Sequence, residues 1–137
     1  MKLTVLAGLV FGLCICGKAQ SAEKSIKAYF SGWQKKDWSI VAGQLADGFS
    51  FTSPAGDDHI PVEKFKEKCW VQAEYIKGFE WVRIFERGNE AFALVHVITT
   101  DNKIVRNVEF FTFSNGKIKS IEVFFGGTGA GYPSNAN

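Results

Sequence analysis

The chain predicts an α+β fold in which three N-terminal helices are followed by an antiparallel sheet. Two observations carry this. Apolar residues early in the chain recur at helical spacing, with Ile26, Tyr29, Phe30 and Trp33 at i, i+3, i+4 and i+7. From residue 79 onward the pattern changes to runs of β-branched and aromatic residues separated by turn chemistry. Helices that come first and strands that come later place the two in separate layers.

The first helix is expected from residue 21 or 22 to 35, with Ser21 and Lys24 forming half a capping box. Asp37 is suited to cap a second helix whose face is Trp38, Val41 and Leu45 and which Gly48 ends. A short strand at 49–52 stops at Pro54. Ala55, Gly56, Asp57, Asp58 and His59 read as a loop, with Asp58 as a candidate cap. Pro61 suits the first turn of a third helix that runs to about residue 76, with Val62, Phe65, Cys69 or Trp70, Ala73 and Ile76 inward. Gly78 closes it. Strands are expected over 79–87, 91–100, 104–113 and 118–125, broken at Gly88-Asn89, Asp101-Asn102 and Ser114-Asn115-Gly116.

Residues 1–19 are expected to be a signal peptide rather than part of the fold. Lys2 is its charged start, and the apolar run from Leu3 to Cys16 is 14 residues long, short for a membrane span. Gly17-Lys18-Ala19 offers small residues for cleavage after Ala19, with Ala22 as the alternative site and an uncleaved anchor as the alternative fate. The expected product is exported, periplasmic or secreted. Lys2 and Lys18 leave with the leader, so 16 basic residues fall to 14 against 14 acidic ones. The remaining domain is formally neutral and offers no basic footprint for nucleic acid. Cys14 and Cys16 also leave, and Cys69 alone cannot form an internal disulfide. About 118 residues remain, enough for one domain, spanning 20–127, with a glycine-rich tail at 128–137 expected to be flexible. That domain holds twelve of the 13 Phe, all four Trp and all three Tyr, a load that can fill a core or line a cavity.

Pairing the late strands indicates which side chains share a face. A two-residue loop at Asp101-Asn102 would pair Thr100 with Lys103, and then His96 faces Asn107 and Leu94 faces Glu109. At the next hairpin a three-residue loop, Ser114-Asn115-Gly116, is expected, because a two-residue loop would set Glu109 against Glu122. Glu109 then faces Ile121. One face is then Phe92, Leu94, His96, Asn107, Glu109, Ile121, Val123 and Phe125, apolar apart from three polar groups together. Those three either finish a core by bonding one another or contact a ligand. A carboxyl among aromatics must be neutral, paired or wet.

Tyr29, Ser53-Pro54 and Glu109, in this order and spacing, resemble the nuclear-transport-factor-2-like superfamily and its ketosteroid-isomerase and SnoaL-like branch. The resemblance covers roughly residues 25–127. It implies a cone-shaped, curved sheet packed on three helices around a cavity, with the face that carries His96, Asn107 and Glu109 turned into that cavity. It also implies that Tyr29 and Glu109 occupy the positions that donate hydrogen bonds to a developing dienolate. The aspartate that moves the proton in those isomerases is replaced here by Ser53, which argues against their chemistry.

Pocket candidates are therefore Tyr29, Trp33, Phe51, Ser53, Trp70, His96, Asn107, Glu109, Ile121, Val123 and Phe125. The favoured reading is an exported domain that binds a small hydrophobic molecule without catalysis, cofactor or metal. One alternative is an isomerase, cyclase or dehydratase with His96 or a loop aspartate (Asp57 or Asp58) as base. No hydrolase, metal or phosphate-loop motif supports other chemistry. The other alternative is an interaction module, a homodimer through an outer sheet face of Val82, Ile84, Val95, Val97, Phe110 and Phe124.

Overall fold

The computed structural model describes residues 21–125. The expected signal peptide at 1–19 and the tail at 128–137 lie outside them. Helix α1 spans Ala22–Lys35, and the Ser21 hydroxyl accepts from the Lys24 amide at 3.3 Å as its N-cap. Lys36 ends it in the left-handed region (φ 56°), its N–H turned back to the carbonyls of Gly32 and Trp33. Ile26, Tyr29, Phe30 and Trp33 are buried, as their spacing requires.

Helix α2, Trp38–Ala42, is capped by Asp37 and is much shorter than expected. Gln44 has already left it, because its carbonyl accepts from Ile118 at 2.8 Å. Strand β1, Leu45–Ser53, starts there. Pairing with a distant strand thus overrides a local helical pattern.

The stretch read as a loop is strand β2, Asp57–Pro61, hairpinned on β1 through a turn in which Gly56 takes φ 88°. Helix α3 spans Val62–Cys69. Pro61 is its N-cap and makes no side-chain cap bond, so neither the first-turn proline nor the Asp58 cap is realised. A 3-10 turn, Trp70–Tyr75, replaces the rest of the expected third helix. Strands β3 (Ile76–Arg87), β4 (Glu90–Thr99), β5 (Ile104–Ser114) and β6 (Lys117–Phe124) follow, close to expectation.

The six strands form one sheet in the order β2-β1-β6-β5-β4-β3. β3 to β6 are an antiparallel meander, and β1 joins β6 in parallel. Helix α1 lies across the sheet against β3, β4 and β6, and Ser25 Oγ donates to the Gly116 carbonyl at 3.0 Å, fixing it to the β5–β6 turn. The core between the layers is Ile26, Phe30, Phe65, Phe111, Ile118 and their neighbours.

The β4–β5 register differs by one residue from the expected one. Thr99, not Thr100, closes the loop: its N–H donates to Lys103 O at 3.0 Å, and its Oγ1 accepts from the Lys103 amide at 3.0 Å. Asn102 is left-handed (φ 63°), the mark of a three-residue loop. The Thr100 N–H is turned away to the Tyr75 carbonyl at 2.9 Å. Ala93 therefore faces Glu109, Val95 faces Asn107, and His96 faces Arg106.

A one-residue slip sends every side chain of β4 to the other face. Ala91, Ala93 and Val95 are inside, while Phe92, Leu94 and His96 are on the outer face. Of the expected outer face, Phe110 and Phe124 remain outside, but Ile84, Val95 and Val97 point inward. Phe92 takes their place outside, 47% exposed, its ring 4.7 Å from Phe110.

The β5–β6 hairpin closes with the two-residue loop Asn115-Gly116 (φ 51° and 75°), not the expected three-residue loop. A bulge at Lys119 then restores the parity that the loop alone would have broken, so Glu109 faces Val123 rather than Ile121 or Glu122. The Lys119 ammonium donates to the carbonyls of Asp47 (3.1 Å) and Gly48 (2.9 Å), where β1 has its own irregularity. The face of β6 is as expected; its pairing has moved by two residues.

Candidate functional site

Between α1, α3, the 3-10 turn and the concave face of the sheet lies a cavity of about 420 Å³, within the usual size of a small-molecule site. Of the expected pocket residues, Tyr29, Trp33, Phe51, Ser53, Asn107, Glu109, Val123 and Phe125 line it. Three do not. Trp70 packs behind the wall, 4.8 Å from Trp33 and 5.3 Å from Trp38. Ile121 lies beneath the floor, fully buried. His96 is on the opposite face, where Nδ1 lies 3.3 Å from Glu80 Oε2 and Nε2 has no partner among the described residues.

The registers set a row of side chains across the concave face. Asp57 on β2 is opposite Ser53 on β1; the parallel pairing puts Ser53 beside Val123 on β6, and Val123 is opposite Glu109 on β5. Two strand spacings separate Ser53 from Glu109, roughly 10 Å along the sheet. Polar groups thus stand at both ends of a row whose middle is apolar.

Glu109 is 7% exposed and makes no hydrogen bond to any described residue. Burial pushes its carboxyl up to about 8, so near neutral pH it is protonated and a hydrogen-bond donor. Tyr29 reaches the same end from α1, its ring 6.1 Å from that of Phe111. Its phenol is raised well above 10, first by burial and then by the nearby Glu109, so it too stays a donor. The Trp33 indole neighbours the Tyr29 hydroxyl, but Nε1 completes no hydrogen bond of ordinary geometry with a described residue. Asn107 adds an amide two residues along β5.

At the other end Ser53 Oγ donates to Asp57 Oδ2 at 2.8 Å and accepts from the Ala55 amide at 3.2 Å. The Lys68 ammonium, half-exposed on α3, donates to Asp57 Oδ1. Asp57 is 5% exposed, and the Lys68 contact holds its carboxyl below the usual range, against the cost of burial. Cys69 lines the wall between α3 and the cavity, its thiol raised to about 11 by burial and then by Asp57, and so unreactive.

Asp57 is the site residue that reading the sequence left ambiguous. Asp57, Asp58 and His59 look alike as a polar loop. In the strand, alternation turns Asp57 inward and Asp58 outward, and the left-handed backbone at His59 (φ 49°) breaks the alternation, so His59 pairs with Asp58 in solvent. The available signal was Ser53-Pro54-Ala55-Gly56-Asp57, a turn that can bring its two ends together. Tyr75, Phe79 and Val105 also line the cavity and were not singled out, and Val97, expected on the outer face, lines it too. Nothing in their local pattern separates them from ordinary strand residues.

A curved sheet wrapped round a cavity with helices on its concave side is the nuclear-transport-factor-2-like, cystatin-like fold. The SnoaL-like domain pattern matches residues 26–121, and the chain belongs to that family. No curated protein matches it. Among solved structures it is similar to a protein from Kribbella flavida DSM 17836, at 19% identity over 82% of this chain and 90% of the other, with a TM-score of 0.70. A nuclear-transport-factor-2-like protein of unknown function from Cytophaga hutchinsonii ATCC 33406 is 18% identical over 78% and 91%, with a TM-score of 0.61. A candidate ketosteroid isomerase from Kribbella flavida DSM 17836 is 16% identical over 80% and 81%, with a TM-score of 0.62. At these identities the likeness is one of fold.

Proposed function

We propose that this domain binds a small, mostly apolar molecule bearing a hydrogen-bond acceptor, and that it does so without chemistry. One observation carries the reading: the Glu109 carboxyl opens onto an apolar cavity and has no hydrogen-bond partner among the described residues. Such a group is costly unless something completes its hydrogen bond. In its neutral form it donates, and Tyr29 beside it does the same. A ketone or similar oxygen on the ligand satisfies both.

The test is a direct one. Protein purified without denaturation is examined by native mass spectrometry, and the ligand-free form is titrated with 4-phenylcyclohexanone while tryptophan emission is followed. A bound small molecule or saturable quenching is expected. Protein that carries nothing and shows no saturation would sink the reading.

A second reading has its own observation. Asp57 bonds to Ser53, at the position where the related isomerases are expected to carry their base, and the two cavity carboxyls are pushed in opposite directions. This favours proton transfer by Asp57; His96 has no access to the cavity. Lys68 makes Asp57 a weaker base, which is why the binding reading comes first. Turnover of a β,γ-unsaturated ketone, lost in Asp57→Asn, would reverse that order.

The setting of this function is also proposed. The leader pattern at 1–19 supports export. The outer sheet face, with exposed Phe85, Phe92 and Phe124, supports a homodimer.

A further inference from the structure

We propose that Asp57, held by Ser53 and Lys68, is a second polar anchor of the cavity, which accepts a hydrogen bond from a ligand hydroxyl at the end remote from Glu109. This rests on the ligand-binding reading above and narrows it to a ligand class: an elongated apolar body with an acceptor oxygen at one end and a hydroxyl at the other.

The argument starts from what the carboxylate has left to give. An ionised aspartate offers about four lone-pair positions on its two oxygens. Lys68 takes one on Oδ1 and the Ser53 hydroxyl takes one on Oδ2. Ser53 cannot turn its proton elsewhere without losing that bond, and one of its two lone pairs is engaged by the Ala55 amide. Most of the capacity that remains, about two positions against one on Ser53, belongs to Asp57, which is itself buried and lines the cavity wall. The cluster therefore seeks a donor. Glu109 and Tyr29 at the other end are donors and seek an acceptor.

Charge selects among donors. With the Lys68 ammonium on the same carboxylate, a second cation is disfavoured, so a neutral hydroxyl suits the place better than an amine. Spacing selects the length. The row Asp57–Ser53–Val123–Glu109 separates Asp57 from Glu109 by three strand spacings, roughly 14 Å along the sheet. Val123 in between offers only apolar contact.

Three probes of one skeleton test this in the wild-type protein by tryptophan quenching: 4-phenylcyclohexanone, 4-(4-hydroxyphenyl)cyclohexanone and 4-(4-methoxyphenyl)cyclohexanone. The hydroxyl compound is expected to bind about tenfold tighter than the other two, the usual effect of one hydrogen bond to a charged group. In Asp57→Asn its advantage is expected to fall below about threefold. The ¹³C carboxyl resonance of Asp57 provides a readout that needs no variant: it should shift with the hydroxyl compound and stay in place with the parent ketone. Equal binding of all three probes overturns the second anchor and leaves the ligand-binding reading standing. A hydroxyl preference that persists in Asp57→Asn, or an unmoved Asp57 resonance, overturns it as well. If none of the three binds, the ligand-binding reading fails and this inference with it.

Discussion

Glu109 concentrates the chemistry of this domain in one titration. Its folded-state value of about 8 lies above the ordinary 4.5. The folded protein therefore holds a proton that the unfolded chain releases. The contribution to stability is fully present below pH 4.5, declines as pH rises towards 8 and levels off above it, once the folded carboxyl also ionises. The loss is on the order of several kcal/mol, because each pH unit between the two values is worth about 1.4 kcal/mol. Urea denaturation at pH 5 and pH 9 should show it, and Glu109→Gln should remove most of the difference. A wild-type midpoint unchanged across this range would place Glu109 in water. Asp57 has the opposite sign. Its carboxyl is held low, so what it contributes is present above the ordinary 3.8 and is lost as pH falls through its folded value. Asp57→Asn should therefore flatten the acid limb and leave the alkaline one.

At the scale of elements, the close approach of α1 to α2 depends on a missing side chain. A Cβ on Gly32 would stand 2.6 Å from Val41 Cγ2 and 2.8 Å from the Val41 amide nitrogen. One of these neighbours is backbone and cannot rotate away. Gly32→Ala should cost about 1–3 kcal/mol by overpacking, readable as a lowered melting temperature. The same scale shows where local pattern fails. The extents of α1 and of β3 to β6 were legible because periodicity and turn residues agree there. The second and third helices were overextended, because Leu45 and Trp70 fit a helical face as well as they fit their actual places. The β4–β5 loop turned on whether the Thr100 amide pairs within the hairpin or with Tyr75, twenty-five residues away. That single bond moved the register by one residue and took His96 out of the cavity.

For the whole molecule, the outer sheet face is the surface whose role decides assembly. Phe85, Phe92, Phe110 and Phe124 lie there, and three of them are largely exposed. If two copies pair through this face, Phe92→Lys should shift the sedimentation coefficient from dimer to monomer while leaving the fold's circular dichroism in place. A wild-type protein that sediments as a monomer at micromolar concentration would end that proposal. Export is checked by the intact mass of material recovered outside the cytoplasm, which is expected to begin at Gln20.

The inward direction of Glu109 and Val123 was implied by the family resemblance, whereas the sequence by itself determined the α+β class, the buried stripe of α1 and the meander of β3 to β6. These follow from local periodicity and from turn chemistry, which act over a few residues. Tertiary structure alone decided that β1 runs parallel to β6, that 57–61 is a strand and that Asp57 faces Ser53 while His96 lies on the outer face. Strand side chains alternate with a period of two, so a hydrogen bond made far away in the chain, or one bulge such as that at Lys119, reverses a face without changing any local pattern.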